Sequence, residues 1–205
     1  MDKRRALHCL VAAGMAATLG AGLAGCSDQP GAKLNGVDVT GAEYAKGFSL
    51  PDADGKQRSI KDFAGKVTVV FFGYTQCPDV CPTTLQELVE AKQHMGAQGD
   101  KLQGVFVSVD PERDTPEVLK AYVGNFDPGM VALTGTPEQV AAMAKDFKVY
   151  YKKVEGQQPG TYTLDHTAGL YIYDPQGRLR VYQRYGAGAK VLAEDALTLL
   201  AQPAA

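Results

Sequence analysis

The sequence predicts an α/β domain: a mixed central sheet with helices on both faces. Three observations carry that expectation. Short β-branched apolar runs alternate with amphipathic helical stretches, the pattern of a sheet packed under helices. Val67-Thr68-Val69-Val70-Phe71-Phe72 is a continuous run of apolar and β-branched residues, as a strand in the middle of a covered sheet must be. A hairpin signature near the C-terminus adds an antiparallel pair, so the sheet is mixed rather than all-parallel.

The elements follow in chain order. After the Val67–Phe72 strand, Pro82 opens a helix whose apolar face is Leu85, Leu88 and Val89, at i, i+3 and i+4. Val105-Phe106-Val107-Ser108-Val109 is a second strand. Thr115-Pro116-Glu117 and Thr136-Pro137-Glu138 each supply an N-cap, a proline at the first helical position and an acid in the first turn. The helices they open carry Leu119, Tyr122 and Val123, then Val140, Met143, Ala144 and Phe147. Leu170-Tyr171-Ile172-Tyr173 and Leu179-Arg180-Val181-Tyr182 flank the turn Asp174-Pro175-Gln176-Gly177-Arg178, and Val191 to Leu200 is a closing helix. No repeat or low-complexity segment interrupts the series, which fits one domain over residues 44–203.

The 205 residues are 45% hydrophobic and 21% charged, enough for a core and unlike a collagen, a rod or a disordered tail. Four Cys are too few for a disulfide scaffold. A formal charge of −2 gives no broad basic footprint, which argues against a nucleic-acid partner.

Residues 1–25 read as a signal peptide. Lys3, Arg4 and Arg5 form a basic start, followed by an Ala-, Gly- and Leu-rich stretch. Leu23-Ala24-Gly25-Cys26 looks like a bacterial lipobox, whose cleavage leaves Cys26 as a lipidated N-terminus; an uncleaved membrane anchor is the competing reading. Residues 26–43 then read as a polar tether. Beyond Cys26 the longest uncharged run, Val67 to Pro78, is too short to cross a bilayer. The expected location is the bacterial cell envelope, membrane-anchored and facing the periplasm, where thiols can be oxidised.

Two Cys and two His remain for chemistry in the domain: Cys77, Cys81, His94 and His166. Cys77-Pro78-Asp79-Val80-Cys81-Pro82 falls where a buried strand gives way to a helix. Pro82 at the first helical position makes Cys81 the N-cap, and the positive helix end there favours its thiolate. A spacing of four puts both sulfurs on one side of the first turn, in reach of a disulfide or a shared ion. Four-ligand structural zinc lacks donors here; two thiolates and one imidazole suit Cu(I). His166 reads equally as that imidazole or as a hydrogen-bonded loop histidine, whereas His94 reads as a solvent-facing residue at the end of the first helix.

The run Phe71-Phe72-Gly73-Tyr74-Thr75, continuing through Cys77-Pro78-Asp79-Val80-Cys81-Pro82-Thr83-Thr84-Leu85, resembles the Sco/SenC family of copper proteins. Val107-Ser108-Val109-Asp110-Pro111-Glu112-Arg113-Asp114-Thr115-Pro116 and Asp165-His166-Thr167 match it too, and the resemblance runs from about Gly47 to Leu200. It implies a thioredoxin-like fold outside the cytoplasmic membrane that carries copper to the copper A centre of cytochrome c oxidase. The implied ligands are Cys77, Cys81 and His166; the implied partners are the oxidase's copper A subunit, an upstream periplasmic copper donor and the membrane reached through the lipid. Gln76 departs from the family pattern without touching the ligands.

Resemblance and residue chemistry agree on Cu(I), with Cu(II) as a second oxidation state, held where a partner's thiolates can enter. Asp79 and Asp165 are candidates to support the ligands, Asp165 by orienting the His166 loop, with turn and cap chemistry as the competing reading. The charged loop Asp110, Glu112, Arg113 and Asp114 reads as a solvated turn, or as a docking surface. A thiol–disulfide oxidoreductase using Cys77 and Cys81 as a redox pair is the rival function. Against it as the main role stand the C-x3-C spacing and His166-Thr167, where thioredoxins carry a proline. A peroxiredoxin-like peroxidase lacks a separate resolving Cys. Copper delivery and thiol reduction are compatible in one protein.

Overall fold

The computed structural model describes residues 33–202. The signal segment 1–25, Cys26 and the first part of the tether lie outside these residues. The elements are β1 (Val37–Asp38), β2 (Ser49–Pro51), β3 (Gln57–Ser59), β4 (Val67–Gly73), α1 (Val80–His94), β5 (Leu102–Ser108), α2 (Pro116–Gly124), β6 (Val131–Leu133), α3 (Pro137–Asp146), β7 (Tyr151–Glu155), β8 (Tyr162–His166), β9 (Gly169–Tyr173), β10 (Leu179–Arg184) and α4 (Ala189–Ala201). Six strands make one sheet in the order β1-β10-β9-β4-β5-β6. β4, β5 and β6 are parallel, while β9, β10 and β1 are joined by antiparallel pairing.

All seven residues of β4 are buried, and strand alternation divides them between two cores. Val67, Val69 and Phe71 pack with Leu85 and Leu88 of α1, Leu119 of α2 and Leu192 of α4. Val70 and Phe72 pack on the other face with Met143 of α3, the adjoining Phe147, and Phe48, Leu50 and Phe63. The sheet is thus mixed and covered on both faces. The Thr-Pro caps form as the sequence predicts: Thr115 accepts the Val118 N–H, and Thr136 accepts that of Gln139 in a reciprocal capping box. The Asp174–Arg178 turn closes β9 onto β10 with Gly177 at φ 77°.

Two local differences matter. Part of the expected tether is sheet, because Val37–Asp38 pairs with Tyr182 and Val181 of β10. The buried Asp195 carboxylate accepts the Asn35 and Gly36 N–H groups, at 2.7 and 2.9 Å, and fixes the entry of that strand. The other difference is the β7–β8 hairpin, an antiparallel pair beyond the strands the sequence predicts. Among the described residues, no helix is long and apolar enough to cross a membrane.

The topology gathers three connections at one edge. β4 and β5 end level with each other, Gly73 opposite Ser108, so the loops after them leave the sheet side by side. β9 runs antiparallel to β4 with Leu170 opposite Phe71, so its start lies at that same edge. The hairpin ending at His166 is delivered there. Ends of parallel strands are the usual place for sites in α/β sheets.

Candidate metal centre

The cysteine segment is shaped by Gly73. A Cβ built there would sit 2.7 Å from Cys81 Sγ and 2.8 Å from the Phe106 ring, so a side chain at 73 and a sulfur at its present place exclude each other. The chain then turns, Cys77 N–H donating to the Tyr74 carbonyl at 3.2 Å, and α1 starts at Val80 with Asp79 as N-cap. The helix therefore begins two residues before Pro82. The proline still costs no hydrogen bond, because the first-turn N–H groups have no intrahelical acceptor.

This early start reverses the expected roles of the two thiols. Cys81 is inside the first turn and fully buried, rather than capping it. Cys77, half-buried, receives the Cys81 backbone N–H at 3.4 Å. The Cys81 thiol donating to Cys77, opposed by burial but aided by the N–H groups of Asp79 and Cys81 and by His166, holds the Cys77 pKa down at about 4. Cys81 is pushed well above the ordinary thiol range by its neighbour Cys77 and by burial. Cys77, not Cys81, is the thiolate of the pair. Both cysteines are free thiols in this structure.

His166 ends β8, half-buried, and its Nε2 lies 3.6 Å from Cys81 Sγ. Its Nδ1 lies 3.2 Å from the Thr167 carbonyl. A carbonyl only accepts, so in the tautomer that makes this hydrogen bond Nδ1 carries the proton and the Nε2 lone pair is free for an ion between the sulfurs. The ring edge packs against Phe71 and Tyr74 at 6.1 and 5.9 Å, which limits its rotation. The two sulfurs and one imidazole nitrogen all lie within 4.8 Å of one another. Thiolate and imidazole ligands with bonds of about 2.3 and 2.0 Å to one ion stand roughly 4 Å apart when arranged trigonally. The three donors are near that spacing already.

The other sequence candidates divide. His94 is exposed at the far end of α1, away from the cluster. Asp79 is exposed, and its carboxylate meets the Thr83 hydroxyl at 3.4 Å. Asp165 is exposed on β8 opposite Lys152, and strand alternation turns it to the other face from His166. The charged loop is solvated only in part: Glu112 is exposed, but Asp110 and Asp114 are 3% and 1% exposed. Asp114 accepts the Thr75 N–H at 3.1 Å, the Thr75 hydroxyl at 2.6 Å and the Ser108 hydroxyl at 2.6 Å. It fastens the cysteine loop to the end of β5, and burial raises its pKa despite those donors.

Fold and cluster together define a thioredoxin-like domain with two cysteines and a histidine converging at the edge of its sheet. The chain belongs to the SCO1/SenC family, whose pattern matches residues 38–201. Among solved structures, ScoI of Bradyrhizobium japonicum with copper bound is 43% identical, with 74% of this chain and 96% of that one covered and a TM-score of 0.66. ScoI of Arabidopsis thaliana with copper bound is 34% identical, covers 77% and 98%, and has a TM-score of 0.71. The mitochondrial SCO2 homolog of Mus musculus is 36% identical over 150 residues, which are 72% of this chain and 59% of that protein. The chain thus spans less than two thirds of that relative.

Proposed function

We propose that the protein is a copper metallochaperone that binds Cu(I) through Cys77 Sγ, Cys81 Sγ and His166 Nε2 and delivers it to the copper A centre of cytochrome c oxidase. The carrying observation is the convergence of these three donors within 4.8 Å, from the cysteine segment at the start of α1 and from the end of β8. Two thiolates and an imidazole form a soft set of low coordination number, matching Cu(I) better than zinc or a hard cation. The copper held by the similar ScoI structures supports the same ion.

The thiols differ in readiness. Cys77 enters as a thiolate, whereas Cys81 gives up its proton as the ion arrives, so binding releases protons. Cys77 and His166 are half-buried at the edge, so an incoming thiolate of the acceptor can add on their side and displace them one at a time. Cys81, buried beneath, holds the ion until last. Residues 1–25 act as the signal peptide, lipid on Cys26 anchors the chain to the envelope membrane facing the periplasm, and an upstream periplasmic donor loads it.

A second reading is favoured by the low pKa of Cys77 beside a buried partner thiol, the asymmetry of a disulfide reductase. In that role the pair keeps the acceptor's copper-ligand cysteines reduced. Anaerobic Cu(I) titration of the reduced protein, run beside a disulfide-reduction assay, separates the two. Tight one-to-one binding that needs His166 supports the chaperone; disulfide exchange with no tight copper binding supports the reductase.

A further inference from the structure

The loop between β5 and α2 touches both halves of the cluster while supplying no donor to it. Arg113, with a side chain 19% exposed, stands at its centre. Its Nε donates to the Asp110 carboxylate, and its Nη1 donates to Gln76 Oε1 and to the Tyr162 carbonyl, each at 3.0 Å. The guanidinium carbon lies 3.5 Å from the centroid of the Tyr162 ring. The Tyr162 hydroxyl in turn donates to Asp110 at 2.8 Å. Gln76 directly precedes Cys77, and Tyr162 begins the strand that ends at His166. Arg113 therefore bonds the cysteine loop and the histidine hairpin at once.

The hairpin needs such a hold. Among the described residues β7 and β8 pair only with each other, outside the six-stranded sheet, and a lone two-stranded ribbon is marginal in water. Leu164 is the one fully buried residue of the two strands. At the base, Thr167 N–H donates to the Tyr150 carbonyl at 2.9 Å, which fixes where the hairpin starts but not how it leans. At the Tyr162 end the hairpin is tied to the β5–α2 loop by Arg113, which stacks on the ring and bonds the backbone, by the Tyr162 hydroxyl on Asp110 and by Lys153 on Glu112. Only a planar fork can stack and reach two acceptors at once; lysine cannot.

We infer that Arg113 is a positioning residue for copper: it clamps the His166 hairpin against the cysteine loop and so sets the His166 imidazole at binding distance from the two sulfurs. This rests on the reading of Cys77, Cys81 and His166 as the ligands.

The test is a double-mutant cycle on the full reduced chain, with Cu(I) affinity read by competition against a chromophoric chelator. Arg113→Ala is expected to weaken binding about 10-fold or more, the range for removing a group that orients a ligand. In a His166→Ala background the same change is expected to cost nothing further, because its effect passes through His166. In Cu(II)-loaded protein, Arg113→Ala is expected to weaken the imidazole nitrogen hyperfine signal. Full affinity in Arg113→Ala, with His166→Ala impaired, overturns the clamp alone, and so do additive losses in the double variant. Full affinity in His166→Ala overturns the ligand reading itself and the clamp with it. If Arg113→Ala does not fold, Arg113→Lys carries the same cycle, expected to lose affinity like the alanine variant despite keeping the charge; full affinity there overturns the clamp.

Discussion

His166 Nε2 stands 3.6 Å from Cys81 Sγ, although 85 residues separate them along the chain. The contact joins the first turn of α1, which follows β4, to the end of β8, which leads into β9. Neither segment holds a three-donor cluster alone. The fold makes the site, and the predictions below probe the parts that hold it.

Gly73→Ala is expected to destabilise the protein by about 1–3 kcal/mol, the usual range for forcing extra volume into a packed core. The added Cβ meets Cys81 Sγ and the Phe106 ring, both inside ordinary contact distance. Thermal unfolding gives the stability, and copper stoichiometry on the folded fraction gives the effect on the cluster. A variant with unchanged melting and unchanged copper binding contradicts the close packing of Gly73 on Cys81.

The pH dependence of alkylation tests which thiol ionises first. A depressed pKa means the Cys77 thiolate is present above pH about 4 and lost as the pH falls through that value. Alkylation of Cys77 is therefore expected to stay fast at pH 5–6, where an ordinary thiol with a pKa of about 8.5 has slowed more than 100-fold. Cys81→Ala removes the principal donor to Cys77, so its midpoint is expected to move upward. Mass mapping that finds Cys81 alkylated first contradicts the assignment.

Oxidation is expected to abolish copper binding. The sulfurs lie near enough for a disulfide after a small movement of the loop, and a disulfide leaves no thiolate to bind the ion. Thiol counting on the domain is expected to fall from two to none as copper binding disappears, both returning on reduction. Copper retained after complete oxidation of Cys77 and Cys81 shows that they are not the ligands.

Cys26→Ser is expected to release the protein from membranes, or leave an uncleaved precursor, without altering copper affinity. Fractionation with a mobility assay reads this. A processed, membrane-bound Cys26→Ser protein contradicts the lipid anchor.

Much of this was legible in the sequence because single residues dictate local structure. The β4 run, both Thr-Pro caps and the Asp174–Arg178 turn lie where the residue chemistry puts them. β7 did not declare itself by alternation, since all its residues after Tyr151 are exposed, whereas β8 does alternate, with Tyr162, Leu164 and His166 on its more buried face. The Tyr- and Thr-rich segments flanking Gly156 and Gly160 were the available signal. Asp110 and Asp114 carry the charge of surface residues; they are buried because Arg113 and Ser108 close by in the chain, and Thr75 and Tyr162 from segments 39 and 52 residues away, satisfy them. The thiol assignment turned on a two-residue difference in where α1 begins, within the uncertainty of helix ends read from sequence.

The most direct test of the three-donor site is anaerobic Cu(I) titration of the reduced protein and of His166→Ala, with Cys77–Cys81 disulfide exchange measured on both. One Cu(I) per chain is expected for the native protein. For His166→Ala the affinity is expected to fall by more than about 100-fold, beyond the loss from disturbing a mere supporting partner, while disulfide exchange continues. His166→Ala protein that binds one Cu(I) with undiminished affinity contradicts the site.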